Sequence, residues 1–336
     1  MRIGQMIAAG LMLCACASIP SETSRLKVCA ECVAETMKQL ASPEMNGRAC
    51  GTEDEHKAAA LLVEKFKAAG LKGSAADGGY LQDVKFTPLG AAPETPQLTT
   101  HNVVGRIKGS APDADAQAIL LTAHYDHVGV RNGVTFPGAN DDASGSAAVV
   151  ELARMLGKGK TPKRTVLFAL FGCEEAGGHG ARYFVANPPV PLTSIAANLE
   201  FEMIGLPDPQ RPKTLMLTGW ERSNLGPELQ TRGAEIGPDL YPQQNFFRRS
   251  DNYQLALKGV VAQTISAWPL PPTYHQPTDT IENLDLAFMA EVVQSLAEPI
   301  DWLVNSDFRP EWLPGMKPEP QPPRAAPPAA TAPTSP

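Results

Sequence analysis

Beyond residues 1–17 the chain has no apolar run approaching the roughly 20 residues needed to cross a bilayer, so no transmembrane segment is expected in the mature protein. Positive charge is also scarce: the net charge is −7, which lacks the basic footprint that nucleic acid or anionic lipid requires. Acidic substrates are not favoured either. There is no second C-x-x-C to accompany Cys29-x-x-Cys32. That pair can be read as a redox motif, a zinc half-site or a disulfide set, and a plain structural role suits it best. Nothing beside Cys173 supplies the general base that a thiolate nucleophile needs, so Cys173 reads as a small buried residue.

What is present is an ordinary globular composition, 43% hydrophobic over 336 residues, enough to bury one large core or two small ones. Residues 1–17 carry Arg2, an apolar stretch from Met6 to Leu13 and then small residues, the pattern of a secretory signal. Ala15-Cys16-Ala17 fits plain cleavage, and Leu13-Cys14-Ala15-Cys16 resembles an imperfect lipobox that would place a lipid anchor at Cys16. Either route exports the chain, to the periplasm or to the outer membrane as a lipoprotein, where cysteines can pair. The remaining organisation is read as 18–100, N-terminal helices and loops packed on a catalytic domain; 101–313, the catalytic core; and 314–336, a disordered Pro/Ala-rich tail.

From Leu26 to Leu71 the pattern is helical, with Ala58, Leu61, Leu62, Lys65, Phe66 and Ala69 on one stripe ending at Gly70. A short strand is expected around Leu81–Phe86. After His101, short apolar runs alternate with helical stretches: 103–107, 118–123, a helix over 144–156, then 165–171, 196–203 and 260–265. This alternation predicts an α/β fold, a mixed, mostly parallel central sheet with helices on both faces. Ligands of such sheets bind at the carboxyl ends of the strands.

The polar residues fall at those ends. The run at Ile119 leads into His124-Tyr125-Asp126, that at Val166 into Glu174-Glu175, that at Leu199 into Glu202, and that at Val260 precedes Tyr274-His275. Gly138-Ala139-Asn140-Asp141-Asp142 forms a turn into a helix. Singly, each group has a structural reading: a hydrogen-bonded histidine, a solvated acid pair, an N-cap at Asp142 or Ser144. Together they converge on one rim, where desolvated carboxylates repel one another unless cations lie between them. His124, Asp141, Glu175, Glu202 and His275 supply three carboxylates. With a hydroxide the ligand charge is matched by two divalent ions, and mixed imidazole–carboxylate ligation suits zinc. Asp141, in its Gly/Asn-rich turn, is the expected bridge.

His124-x-Asp126, Gly138-x-Asn140-Asp141-Asp142-x-Ser144-Gly145, Glu174-Glu175, Glu202-Met203-Ile204-Gly205 and Tyr274-His275-x-Pro277-x-Asp279-Thr280 occur in that order. Over roughly residues 40–305 the chain resembles the M28 family of co-catalytic zinc aminopeptidases. The resemblance implies two zinc ions per chain and peptide substrates. His124 and Glu202 would ligate one ion, Glu175 and His275 the other, and Asp141 both. It further implies that Asp126 orients His124, that Glu174 is the general base, and that Tyr274 hydrogen-bonds the tetrahedral oxyanion. The converse assignment, Glu174 as ligand and Glu175 as base, is less favoured.

Some positions depart from the family pattern. Glu202 stands where most relatives have Asp, which makes Glu200, two residues earlier on the same strand face, a competing ligand. Asn252 replaces a usual His, and His179 a common Ser. His56, His101 and His127 read as structural or surface residues, with His127 a minor candidate for the substrate pocket. Arg248, Arg249, Asp251 and Trp268 are further pocket candidates. The expected activity is release of N-terminal residues. A glutaminyl cyclase, which is an acyltransferase, and a non-catalytic binding module on the same fold are the alternatives.

Overall fold

The computed structural model describes residues 26–320 apart from 89, 93, 268 and 269. The expected signal segment with Cys16, the tail beyond 320, and Trp268 lie outside the described residues.

The N-terminal helical pattern resolves into two helices, α1 (Ala30–Leu40) and α2 (Glu53–Ala68). α2 starts where the Thr52 side chain accepts a hydrogen bond from the Glu55 amide. Glu53 and Asp54 in its first turn and Lys65 and Lys67 in its last are favourable to the helix dipole. Ala58, Ala59, Leu62 and Phe66 form its buried face.

The strands follow: β1 (Lys72–Gly73), β2 (Leu81–Phe86), β3 (Leu98–Ile107) and β4 (Ala118–His124). A hairpin of β5 (Gly129–Arg131) and β6 (Val134–Phe136) stands apart, and α3 (Gly145–Lys158) leads to β7 (Val166–Phe171). Then come α4 (His179–Ala186), β8 (Ile195–Phe201), β9 (Leu215–Leu217), α5 (Leu225–Thr231) and β10 (Ile236–Pro238). α6 (Asn252–Leu257), β11 (Val261–Ser266) and α7 (Leu286–Asn305) are the last helices and strand among the described residues.

Among the described residues nine strands form one sheet in the order β1-β3-β7-β4-β8-β11-β9-β10, with β2 also paired to β3. The centre, β7-β4-β8-β11, is parallel, and the flanking pairs β3–β7 and β11–β9 are antiparallel. This is the mixed, mostly parallel sheet that the alternating pattern predicts. Segment 18–100 adds β1 to the expected β2, so the sheet begins well before His101.

Period-two alternation explains how unbroken apolar runs serve as strands. Ile119, Leu121 and Ala123 of β4, with Val166, Phe168 and Leu170 of β7, face the core shared with α1, α2, α3, α5 and α7. Leu120, Leu167, Ala169 and Phe171 face the other side, toward α4 and α6. Both faces are therefore dry, as parallel strands require. Because the four central strands run the same way, their carboxyl ends share one edge, and that edge carries the ionisable residues.

Candidate metal centre

β4 delivers His124 as its last residue, β7 is followed by Cys173-Glu174-Glu175, β8 by Glu202, and β11 by the loop bearing Tyr274 and His275. Asp141 comes from the turn before α3, where the Asp141–Asp142 peptide is cis. Cys173, Met203 and His275 each hold a positive φ, of 58°, 54° and 52°. Backbone of this kind is costly for non-glycine residues and concentrates at functional sites. Here it turns the chain sharply two residues past the ends of β7 and β8, at Cys173 and Met203, and within the loop after β11, at His275.

The ligand candidates meet in two overlapping groups: His124, Asp141 and Glu202, and Asp141, Glu175, His275 and His127. His124 Nε2 lies 3.2 Å from Asp141 Oδ1. His275 Nε2 lies 3.1 Å from Asp141 Oδ2 and 2.9 Å from Glu175 Oε1. Asp141 thus presents one oxygen to each group. His124 Nε2, His275 Nε2 and Glu175 Oε1 are buried yet make no properly directed hydrogen bond among the described residues. Neighbouring donors around a tetrahedral zinc, with bonds of about 2.0–2.1 Å, stand about 3.3 Å apart. The donor set therefore fits the ligation of a divalent metal.

The electrostatics agree with a site built for cations. Burial raises Glu174 well above the usual carboxylate range, and nearby Asp251 and Glu202 add to the effect while His124 opposes it. Burial likewise raises Glu202, to about 7. Burial works against a charged His275, yet Asp141 and Glu175 hold it at about 10. The same contest leaves His124 raised, through Asp126 and Asp141. Asp141 and Glu175 are burdened by burial but held low by their imidazole neighbours. Without metal, this centre stores protons.

Buried hydrogen bonds knit the loops together. Asp126 accepts from the Glu174 amide at 2.9 Å and from the Glu175 amide at 3.2 Å. His124 Nδ1 sits 3.2 Å from the Asp126 backbone carbonyl and 3.6 Å from its carboxylate. Asp126 thus supports the paired glutamates as much as the histidine. Asp279 accepts from the amides of Asn140 and Asp141, at 2.8 and 3.1 Å, joining the His275 loop to the Asp141 turn. Asp142 accepts from Gly145 and Met203, the Ser144 hydroxyl from Ile204, and the Asn140 side chain from Gly205. Gly145 permits this approach: a Cβ there would lie 2.1 Å from the Phe201 carbonyl oxygen.

Two supports escaped the sequence reading. Arg48 is fully buried, and its guanidinium donates to the carbonyls of Leu40, Tyr125, Pro137 and Gly138. It thereby binds the loops of His124 and Asp141 to the N-terminal segment. Cys50 and Cys173 form a disulfide with Cα atoms 4.7 Å apart, so Cys173 is a cross-link rather than a free thiol. Cys29 and Cys32 also pair, the disulfide among their readings.

Glu200 is fully buried, burial and Glu202 push its pKa well up, and it belongs to neither donor group. His56 and His101 pack against one another, and His179 stacks on Phe86. The Asn252 amide donates to Phe247 and Ala262 carbonyls. His127, read as structural or surface, is not at the surface: it is 1% exposed, with Nδ1 3.0 Å from Glu175 Oε1. Beside the acids a cavity of about 90 Å³ is lined by Glu174, Tyr274, Met203, Met216, Phe246, Leu270, Thr218, Thr264, Ser266 and Arg249 among others. Of the pocket candidates, Arg249 lies on it, Arg248 stands over the Tyr253 ring, and Asp251 is buried away from its lining.

The chain is 27% identical over 229 residues to the "Probable lipoprotein aminopeptidase LpqL" of Mycobacterium tuberculosis, covering 57% of this chain and 43% of that protein. It is 39% identical over 110 residues to an "Aminopeptidase" of Pseudomonas aeruginosa, 32% of this chain and 19% of that protein. The chain thus spans less than half the length of these curated relatives. In fold it is similar to the aminopeptidase of Aneurinibacillus sp. strain AM-1, with a TM-score of 0.65 and 17% identity over 89% of this chain and 99% of that one. It is similar too to a Bacillus subtilis zinc aminopeptidase, with 0.66 and 18% over 84% and 97%. A Porphyromonas gingivalis glutaminyl cyclase shares the fold at 0.62 and 18% over 82% and 99%. The model of Peptidase family M28 matches residues 102–299, the stretch that carries every donor described above, and the chain belongs to that family.

Proposed function

We propose that this chain is a metal-dependent exopeptidase that releases N-terminal residues from peptides, with two zinc ions per chain. His124, Asp141 and Glu202 would hold one ion, and Asp141, Glu175 and His275 the other. The observation that carries this reading is the pair of overlapping donor groups sharing Asp141, with buried imidazole nitrogens that lack hydrogen-bond partners. The relatives' names, which include aminopeptidases and a zinc aminopeptidase, support the metal and the end of the peptide attacked.

When bound, the zinc ions supply Lewis acidity that polarises the scissile carbonyl and makes water acidic enough to deprotonate near neutral pH. Glu174 lines the cavity, and its pKa, raised by burial, suits a group that must take a proton and give it back. Its carboxylate takes the proton of the attacking water and delivers it to the leaving amine nitrogen. Tyr274 has its pKa raised by burial and by Asp141 and Glu175, so it stays protonated and can donate to the oxyanion. Asp126 fixes the Glu174 and Glu175 amides and thereby aims the base. The surrounding acids favour the ammonium of a free N-terminus, and Met203, Met216, Phe246 and Leu270 offer its side chain an apolar wall.

Export fits the two disulfides, which persist in oxidising compartments. The periplasm, or anchorage at Cys16, is the proposed location, supported by the name of the mycobacterial relative. The test is zinc content and turnover of the purified mature protein on aminoacyl-p-nitroanilides and an N-terminal glutaminyl peptide, before and after chelation. Two zinc ions with chelator-sensitive release of an N-terminal residue support the proposal. Pyroglutamate formation would select the cyclase, and neither metal nor turnover would leave a binding module.

A further inference from the structure

We infer that His127 is itself a metal ligand, so that the two positions of the centre are unequal: four protein donors on the Glu175–His275 side and three on the His124–Glu202 side. The inference rests on the dinuclear reading above and adds a third imidazole to it. His127 is 1% exposed, and among the described residues neither ring nitrogen has a hydrogen-bond partner. An imidazole buried without partners loses its hydration with nothing in return. Nδ1 lies 3.0 Å from Glu175 Oε1 and 4.0 Å from Asp141 Oδ2, and the ring stands edge-on to His275 at 5.5 Å between centroids. One donor atom from each of His127, Asp141, Glu175 and His275 falls within 4.8 Å of all the others. That clustering is what one ion with four protein ligands requires.

The backbone holds this arrangement. The His127 amide donates to the Arg48 carbonyl at 3.3 Å, in a parallel bridge with Ala49. Gly138 leaves the ring its space: with φ at +60°, a Cβ there would lie 2.3 Å from His127 Cγ. The rival role is a positioning one, with Nδ1–H donating to Glu175. Both atoms lack a directed hydrogen bond despite their proximity, which favours a shared metal over a shared proton. The four-donor position should fill first and release its ion last, leaving the His124–Glu202 ion the exchangeable one.

Zinc X-ray absorption on the fully loaded wild-type protein tests this without mutation. Three imidazoles over two ions give an average near 1.5 per zinc, and two give 1.0. Stepwise zinc affinity of His127→Ala and His127→Gln, with circular dichroism of each apo form, supplies the second readout. Both variants are expected to weaken the tighter site by more than the roughly 10–100-fold typical of losing a supporting hydrogen bond. An average of 1.0 imidazole per zinc, or glutamine restoring wild-type affinity, overturns the inference while leaving the dinuclear reading intact. A wild-type protein that binds no zinc sinks both.

Discussion

At the scale of single residues, the centre is a set of groups whose protonation is decided by one another. His275, at about 10, carries a proton at neutral pH in the metal-free protein, and Glu202, at about 7, is partly protonated there. Ligands must shed protons to bind, so zinc binding is expected to release them and to tighten as pH rises from about 6 to 8. Calorimetry in two buffers of different ionisation enthalpy reads this directly; heats independent of buffer would refute it. Glu174→Gln is expected to retain two zinc ions and lose about 10²–10⁴ in kcat, or more. Near-wild-type turnover would remove Glu174 from the base role. These residues were visible as acids and histidines at the ends of apolar runs. His127 read as a structural or surface histidine, since what encloses and places it is not local: Gly138 leaves its ring space and Ala49 bridges its backbone.

At the scale of elements, the site is four strand ends held in register by groups from elsewhere. Arg48 keeps its charge near neutral pH, for burial lowers it only to about 10 while Asp126, Asp279, Asp142 and Asp141 oppose that fall. Arg48→Met would strand four carbonyls, those of Leu40, Tyr125 and Gly138 buried and that of Pro137 partly so. It should cost more than about 3 kcal/mol, read as a lower denaturant midpoint, and weaken zinc binding with it. The Cys50–Cys173 disulfide closes a long loop, with a sequence separation of 123, and ends one residue from Glu174. Its reduction and alkylation is expected to lower stability by about 2–5 kcal/mol and to reduce kcat more than KM. An unchanged kcat would show that the paired glutamates keep their aim without the link. Neither tether follows from local pattern, because the partners are remote in sequence.

At the scale of the whole molecule, the sheet gathers buried carboxyls that the unfolded chain would expose. Burial raises Asp279 to about 6, Glu202 to about 7 and, with Asp126, Glu55 to about 8, and acids hold His275 at about 10. Each raised group binds protons more tightly folded than unfolded. Its stabilising contribution is complete below the unfolded pKa and is lost as pH rises through the folded one. Asp141 and Glu175 act in the opposite sense, but only at lower pH. The metal-free protein should therefore lose thermal stability steadily from pH 5 to 9, and zinc should restore most of it at the alkaline end. A melting temperature that rises over that range without metal would contradict this account. Glu55→Gln, outside the metal centre and bonded to Thr100 and the Gly51 amide, should flatten the slope.

The α/β architecture and most of the rim were legible in the sequence by itself. Period-two burial of apolar runs and their polar terminations are local properties of the chain, and the motif order pointed to the family. Strands 118–124, 166–171 and 261–266 fall within a residue or so of the runs that predicted them. Only the tertiary structure decided which donors share a group. It put Glu202 rather than Glu200 beside His124 and Asp141, brought His127 to Glu175, and paired Cys173 with Cys50. The physical reason is that a donor group is defined by distances of 3–4 Å between loops from different strands. Those distances are set by sheet order, by left-handed residues such as Met203 and His275, and by buried tethers such as Arg48, none of which is a property of neighbouring residues.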